Sequence, residues 1–196
     1  MLFEEANVKK RAQEEKSKYF FKSESEILTE SLESFDENKN YNIFLSHSLN
    51  DADIILGIKG ILEDLQYSVY VDWIEDPFLD RERVNRNTAE ALKNRMKSCD
   101  SLFYITTENS FHSKWMPWEC GFFDGFKGKV AITPVVKKSY DNDFKGQEYL
   151  GLYPYSVKQK SKSGRDVLFI FKNNSTYATY DHWVSSKNEH IEWKDM

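Results

Sequence analysis

Short apolar runs alternate along this chain with longer segments whose apolar residues recur at helical spacing, and this alternation constrains the fold most. The first run, Tyr-Asn-Ile-Phe-Leu at 41–45, precedes a helical stripe that contains Ile54, Ile58 and Leu62. Further strand-like runs lie at 68–73, 102–105, 130–136 and 167–170. Strands separated by helices form βαβ units. The pattern therefore predicts an α/β fold: an open parallel five-stranded sheet of the flavodoxin-like type, with helices on both faces.

The helices between these strands have recognisable beginnings. Asn50 and Asp51 are good cap residues for the helix after the first strand. A second helix is predicted near 85–98, and a third has Pro117 in its first turn and runs to about Lys127.

We predict three parts of the chain: an N-terminal helical segment at 1–40, the α/β domain at 41–172, and a C-terminal extension at 173–196. The charged N-terminal segment is either laid on the outside of the domain or is a helical arm for a partner or for self-association. The aromatic residues of the extension predict that it packs on the domain. The polar stretch 137–166 has no predicted structure.

Composition excludes several classes of function. The net charge of -5 argues against a nucleic-acid binder, which would carry a basic surplus. No apolar run is long enough to span a bilayer, and the acidic N-terminus is unlike a signal peptide. The two cysteines have no partner at metal-ligand spacing, and the glycines match neither a P-loop nor a dinucleotide fingerprint. We expect a cytoplasmic protein without a metal, a membrane partner or a nucleic-acid partner.

Polar clusters follow the predicted strands, at the sheet edge where α/β proteins bind ligands. They are Ser46-His47-Ser48, Asp72-Trp73, Thr106-Thr107 and the segment Trp115 to Glu119. Trp115 and Glu119 are four residues apart and share one helix face. An aromatic ring beside a carboxylate suits a flat, cationic substrate that carries a ribose.

Each of these residues also has a plain structural interpretation. Glu119 is equally a solvated first-turn residue that complements the helix dipole. Trp115 is either a core residue or a site residue, whereas His47 is more often structural in such a loop. The remaining candidates favour ordinary roles: solvated charges for Arg81, Arg83 and Arg86, packing for Trp118, and a buried thiol for Cys120.

Four segments together resemble the Toll/interleukin-1 receptor (TIR) domain family of the prokaryotic NAD-cleaving type: Tyr41 to Ser48, Val69 to Trp73, Ser101 to Ser110, and Trp115 to Glu119. The resemblance runs over about residues 41–136. It implies an enzyme that cleaves NAD at the nicotinamide–ribose bond, with Glu119 as the catalytic residue. It also implies nucleotide contacts for Ser46, His47, Trp73 and Trp115.

The resemblance further implies that NAD is the substrate and that no cofactor is needed. The product is then an ADP-ribose-derived signal, such as a cyclic ADP-ribose, read by a separate effector protein, as in anti-phage systems such as Thoeris. Hydrolysis and cyclisation, and a monomer and a homo-oligomer, all stay open. The loop at 75–83 departs from the family pattern, which has a glycine there. The alternatives are a non-enzymatic TIR module that acts by assembly and a nucleoside-processing transferase.

Overall fold

The computed structural model describes residues 2–19, 39–75, 85–137 and 148–196, which contain nine strands and six α-helices. The strands are β1 (Phe3–Glu4), β2 (Tyr41–Ser46), β3 (Val69–Tyr70), β4 (Cys99–Thr106), β5 (Val130–Val136), β6 (Tyr155–Lys160), β7 (Asp166–Phe171), β8 (Thr176–Thr179) and β9 (Lys194–Asp195). The helices are α1 (Glu5–Tyr19), α2 (Ala52–Asp64), α3 (Asp72–Glu75), α4 (Arg86–Lys97), α5 (Trp115–Lys127) and α6 (Tyr180–Ser185). The loop at 76–84 and most of the segment that joins α1 to β2 lie outside the described residues.

Five neighbouring strands form the parallel part of the sheet, in the order β3-β2-β4-β5-β6. Taken along the chain, this is the strand order 2-1-3-4-5 of flavodoxin-like folds. The predicted fold class is confirmed. Ser46 at the end of β2 lies beside Tyr104 of β4, so the carboxyl ends of these two strands meet at one edge.

The fifth parallel strand is not the one that the sequence predicts. Residues 167–170 do form a strand, β7, but β7 pairs antiparallel with β6. The two strands are joined by a tight turn in which Gly164 has a φ of 80° and donates to Ser161, and so short a connection allows only antiparallel pairing. The fifth parallel strand is β6. Its largely polar sequence, Tyr-Ser-Val-Lys-Gln-Lys, lies within the stretch 137–166, for which the sequence predicts no structure.

The second strand is also shorter than the predicted run 68–73. It ends at Tyr70, and the chain turns at once into α3. The backbone N–H groups of Ile74 and Glu75 donate to the carbonyl of Val71 at 3.1 and 2.9 Å, which starts this helical turn. Asp72 and Trp73 therefore lie on a helix at the sheet edge instead of at the end of a strand.

Helices cover both faces of the sheet. On one face, α4 and α5 pack on Phe44, Leu102 and Ile132. On the other face, α2 and α6 pack on Ile43, Phe103 and other strand residues. Alternate residues of β2 point to opposite faces, and both sets are buried.

The N-terminal helix α1 lies along α2, which makes it a helix on the outside of the domain. Val8 and Ala12 are buried in this contact, and Gly57 allows the close approach, because a Cβ atom there would overlap the carbonyl oxygen of Val8. The guanidinium of Arg11 donates to both carboxylate oxygens of Asp64, at 2.8 and 2.9 Å. Residues 20–38, which complete the predicted helical segment, lie outside the described residues.

The C-terminal residues add β8, α6 and β9 to the molecule, with Tyr180 and Trp183 buried on one face of the sheet. The division of the chain at residues 40 and 172 stays a prediction; the sheet continues past residue 172 into β8. Among the described helices, none has both the length and the apolar character that a membrane crossing requires.

Candidate active site

Three elements meet at the carboxyl edge of the sheet: the ends of β2 and β4 and the first turns of α5. The segment between β4 and α5 contains a short 3-10 helix, Ser110–His112, after which α5 starts at Trp115. Pro117 is in the first turn of α5, where its missing N–H costs no hydrogen bond. Glu119 then lies one turn into the helix, on the side that faces β2.

Glu119 is completely buried, with 0% of its surface exposed. The hydroxyl of Ser46 donates to its Oε2 at 2.6 Å, and Ser46 is itself 0% exposed. The interpretation of Glu119 as a solvated first-turn residue is therefore wrong. Burying a carboxylate costs free energy that its contacts within the protein must offset, so a fold has little reason to place one here for stability alone. Such an arrangement points to a chemical role.

Tyr104 lies near this carboxylate. It is the β4 residue beside Ser46, it is buried, and Tyr149 lies close to it. Burial raises the pKa of Tyr104, and the nearby Tyr149, Cys120 and Glu119 add to that effect. Tyr104 therefore keeps its proton near neutral pH.

His47 and Trp73 meet in a second polar contact at the same edge. The indole Nε1–H of Trp73 donates to Nε2 of His47 at 3.1 Å. The other ring nitrogen of His47, Nδ1, lies 2.8 Å from the carbonyl oxygen of Leu45. Asp72, also buried, has its Oδ1 atom 3.4 Å from His47 Nε2. The loop after β2 is thus tied to α3.

A third contact joins the segments that follow β2 and β4. The hydroxyl of Thr107 donates to Asp51 Oδ2 at 2.5 Å, and the amide of Asn109 donates to Asp51 Oδ1 at 2.7 Å. Asp51 was expected to cap α2, but its side chain makes no capping hydrogen bond there. Its carboxylate instead accepts the hydrogen bonds that join the segment after β2 to the segment after β4.

The aromatic residues of α5 form a continuous series. Trp115 is 8% exposed, belongs to the core and packs edge-to-face on Trp118 at 5.5 Å between ring centres. Trp118, half-buried, stacks on Phe122. Packing is therefore confirmed for Trp118 and is present for Trp115, whose contact with a nucleotide stays a prediction.

The structure brings together most of the predicted site residues, namely Ser46 with Glu119 and His47 with Trp73. Sequence reasoning named Asp51 and Asp72 without assigning them these contacts, and it did not single out Tyr104 or Asn109. Their only sequence signal is that each lies at or just after the end of a strand. Arg81, Arg83 and the loop 75–83 fall outside the described residues, except for Glu75.

Cys120 follows Glu119 and is buried, which raises the pKa of its thiol to about 11. At neutral pH it is a thiol and a weak nucleophile. Across the described ranges, no three side chains of the His, Cys, Asp and Glu types gather as metal ligands would.

Comparison with known proteins gives two relatives, although no protein-family model matches the chain. A Bacillus cereus (strain MSX-D12) protein named "Probable 3′ cyclic ADP-D-ribose synthase ThsB′" is 50% identical over 173 residues, which cover 87% of this chain and 90% of that protein. A Cytobacillus dafuensis protein named "Putative cyclic ADP-D-ribose synthase TIR2" is 32% identical over 118 residues, which cover 59% of this chain and 31% of that protein.

Proposed function

The chain belongs to the prokaryotic, Thoeris-like TIR domain family, and from this premise we propose that it cleaves the nicotinamide–ribose bond of NAD and cyclises the ADP-ribose part. Glu119 is the catalytic residue. The products are nicotinamide and a cyclic ADP-ribose. Two relatives named as cyclic ADP-D-ribose synthases support cyclisation over simple hydrolysis.

The observation that carries the proposal is the buried Glu119 carboxylate beside Ser46, at the sheet edge where this fold class binds ligands. A docking module that acts only by assembly has no need of a buried carboxylate at this edge. An exposed glutamate would serve the helix dipole equally well.

The chemistry requires little else from the protein. Nicotinamide leaves a cationic ring as a neutral molecule, so no acid has to protonate it. Positive charge then develops on the ribose, and a carboxylate already in place stabilises that charge and accepts hydrogen bonds from the ribose hydroxyls. Such a contribution is worth about 3 kcal/mol, or on the order of a hundredfold in rate.

Cyclisation needs an internal nucleophile in place of water. The C1′–N bond to nicotinamide breaks, and a nucleophile of the same ADP-ribose forms the new bond to C1′. A hydroxyl loses its proton as it does so, whereas an adenine ring nitrogen attacks with its lone pair and the adenine takes up the positive charge. A site that excludes water while NAD is bound favours the internal nucleophile over hydrolysis. In the full proposal, the reaction takes place in the cytoplasm during defence against phage, and a separate effector protein binds the product.

The test compares Glu119→Gln and Glu119→Ala with the unchanged protein, with nicotinamide measured by chromatography and the nucleotide product by mass spectrometry. We expect the unchanged protein to release nicotinamide and a cyclic product, and both variants to lose at least a hundredfold in rate.

Glu108→Gln is the matched control, because Glu108 is 83% exposed and its partner Lys137 is at the surface. It should keep full activity. Turnover by the Glu119 variants at the unchanged rate would contradict the proposal, and so would nicotinamide release without any cyclic nucleotide, which would indicate a hydrolase.

A further inference from the structure

We infer that His47 is a positioning residue: its unprotonated Nε2 atom holds the indole of Trp73 at the carboxyl edge of the sheet. The consequence for NAD rests on the proposed function, in which Trp73 contacts the nucleotide. The contact itself does not depend on that function.

The tautomer of His47 follows from its two partners. The carbonyl oxygen of Leu45, 2.8 Å from Nδ1, can only accept a hydrogen bond, so Nδ1 carries the proton. A neutral imidazole has one N–H, which leaves Nε2 as an acceptor. The indole nitrogen of Trp73, 3.1 Å away, can only donate and therefore matches this acceptor.

Burial and its two hydrogen-bond partners keep His47 from contacting the substrate directly. The residue is 1% exposed, and each ring nitrogen has a partner within the protein. Asp72 Oδ1 is the more distant neighbour of Nε2, at 3.4 Å, and an unprotonated Nε2 has no hydrogen to offer it. His47 therefore acts on NAD through Trp73, which replaces the expectation that it binds the nucleotide directly.

Trp73 has the features expected of a side chain whose orientation must be fixed by a neighbour. It is half-buried and packs on the core beneath α2, so part of its ring is accessible. It lies on α3, a helix of only four residues, Asp72–Glu75, which by itself gives little rigidity. A hydrogen bond from the indole to a buried imidazole supplies the orientation that this short helix lacks.

Two substitutions at His47 separate positioning from a purely structural role. In His47→Asn, the amide nitrogen lies near the place of Nδ1, so the bond to Leu45 can persist while the acceptor for Trp73 is lost. In His47→Gln, the longer side chain brings an amide oxygen near the place of Nε2, which restores an acceptor for the indole. Positioning predicts that the Gln variant is closer to the unchanged protein; a role limited to the Leu45 bond predicts the reverse.

The first measurement does not use activity. The chain has five tryptophans, so a spectrum of the ¹⁵N-labelled full chain contains up to five indole N–H signals, and Trp73→Phe identifies that of Trp73. We expect this signal to move in His47→Asn toward the position of an indole bonded to water, and to return in His47→Gln. An unchanged signal in both variants would overturn the inference.

The second measurement is nicotinamide release. Loss of one such orienting bond should raise KM for NAD about tenfold in His47→Asn and Trp73→Phe, with kcat within about twofold. The double variant should match the worse single variant, because both changes remove the same contact. Additive effects would overturn the inference. If the unchanged protein releases no nicotinamide, the proposed function fails, whereas the indole signal still decides whether His47 holds Trp73.

Discussion

Two regions join distant parts of the chain: the contact between α1 and α2, and the carboxyl edge of the sheet. They differ in the kinds of side chain that they bury. The helix contact buries apolar Val8 and Ala12, and its largely buried Arg11 pairs with the buried Glu15 and with the exposed Asp64. The sheet edge buries polar groups more deeply: Glu119 is 0% exposed and His47 is 1% exposed.

This difference separates stability from function. Burial of apolar residues is the main source of stability, and a charge paired with an opposite charge near the surface costs little. Burial of a carboxylate and an imidazole costs free energy that only hydrogen bonds or paired charges offset. Substitutions at the helix contact should therefore change the free energy of unfolding alone, whereas substitutions at the sheet edge should change turnover as well.

The largest change in stability is expected for Gly57→Ala. A Cβ atom at Gly57 would overlap the carbonyl oxygen of Val8, so α1 must move away from α2 and lose its packing. We expect a loss of about 3 kcal/mol in the free energy of unfolding, measured by urea denaturation. The folded fraction should retain its rate of nicotinamide release.

Gly121→Ala is the matched control for this prediction. Gly121 is also inside a helix, α5, but a Cβ atom there meets nothing within 4 Å among the described residues. Alanine is the better helix former, so this variant should gain about 0.5–1 kcal/mol. Equal destabilisation by the two variants would contradict the assignment of Gly57 to a close helix contact.

Ser46→Ala is expected to have the next largest effect, and it should change activity as well as stability. It removes the donor 2.6 Å from Glu119 Oε2, in a position where water cannot easily replace it. We expect a loss of about 2 kcal/mol in stability and at least a tenfold fall in kcat, measured by denaturation and by nicotinamide release. Ser48→Ala is the control, because within the described parts of the chain the Ser48 hydroxyl accepts a single, long bond of 3.4 Å from the backbone N–H of Asn50.

The sequence predicts those parallel strands that are apolar. It also predicts the part of the candidate site that directly follows these strands. The runs at 41–45, 102–105 and 130–136 lie within strands whose side chains are buried on both faces, and this burial is what makes them visible. β6 is missed because its last residues are exposed and polar, and the orientation of β7 is missed because it depends on a turn.

The candidate site is predictable in its members but not in its pairings. Spacing places Trp115 and Glu119 on one face of α5, because four residues nearly complete a helical turn. It gives no information that Ser46 reaches Glu119 or that His47 reaches Trp73, since those contacts join elements 73 and 26 residues apart. The contacts of Asp51 are unpredictable for the same reason. An aspartate that caps a helix and an aspartate that accepts hydrogen bonds from another loop look alike in the sequence.

Asp51→Ala should have a smaller effect than Ser46→Ala. It removes an acceptor from Thr107 and from Asn109, but both donors are partly exposed and can bind water instead. We expect a loss of about 1.5 kcal/mol in stability and a rise in KM, because the segments after β2 and β4 lose their connection. Asp53→Ala, at an exposed position next to it, should change neither quantity by much.

The smallest effect is expected for the pair of Arg11 and Asp64. The hydrogen bond that Arg11 donates to Asp64 is the main cause that raises the pKa of Arg11, yet Asp64 is 53% exposed, so water and salt screen the pair. A double-mutant cycle with Arg11→Gln and Asp64→Asn should give a coupling of about 0.5 kcal/mol that falls in 1 M salt, with nicotinamide release unchanged. A coupling as large as the loss in Ser46→Ala would remove the contrast between the two regions. It would mean that an ion pair with an exposed carboxylate contributes as much as a hydrogen bond to a buried one.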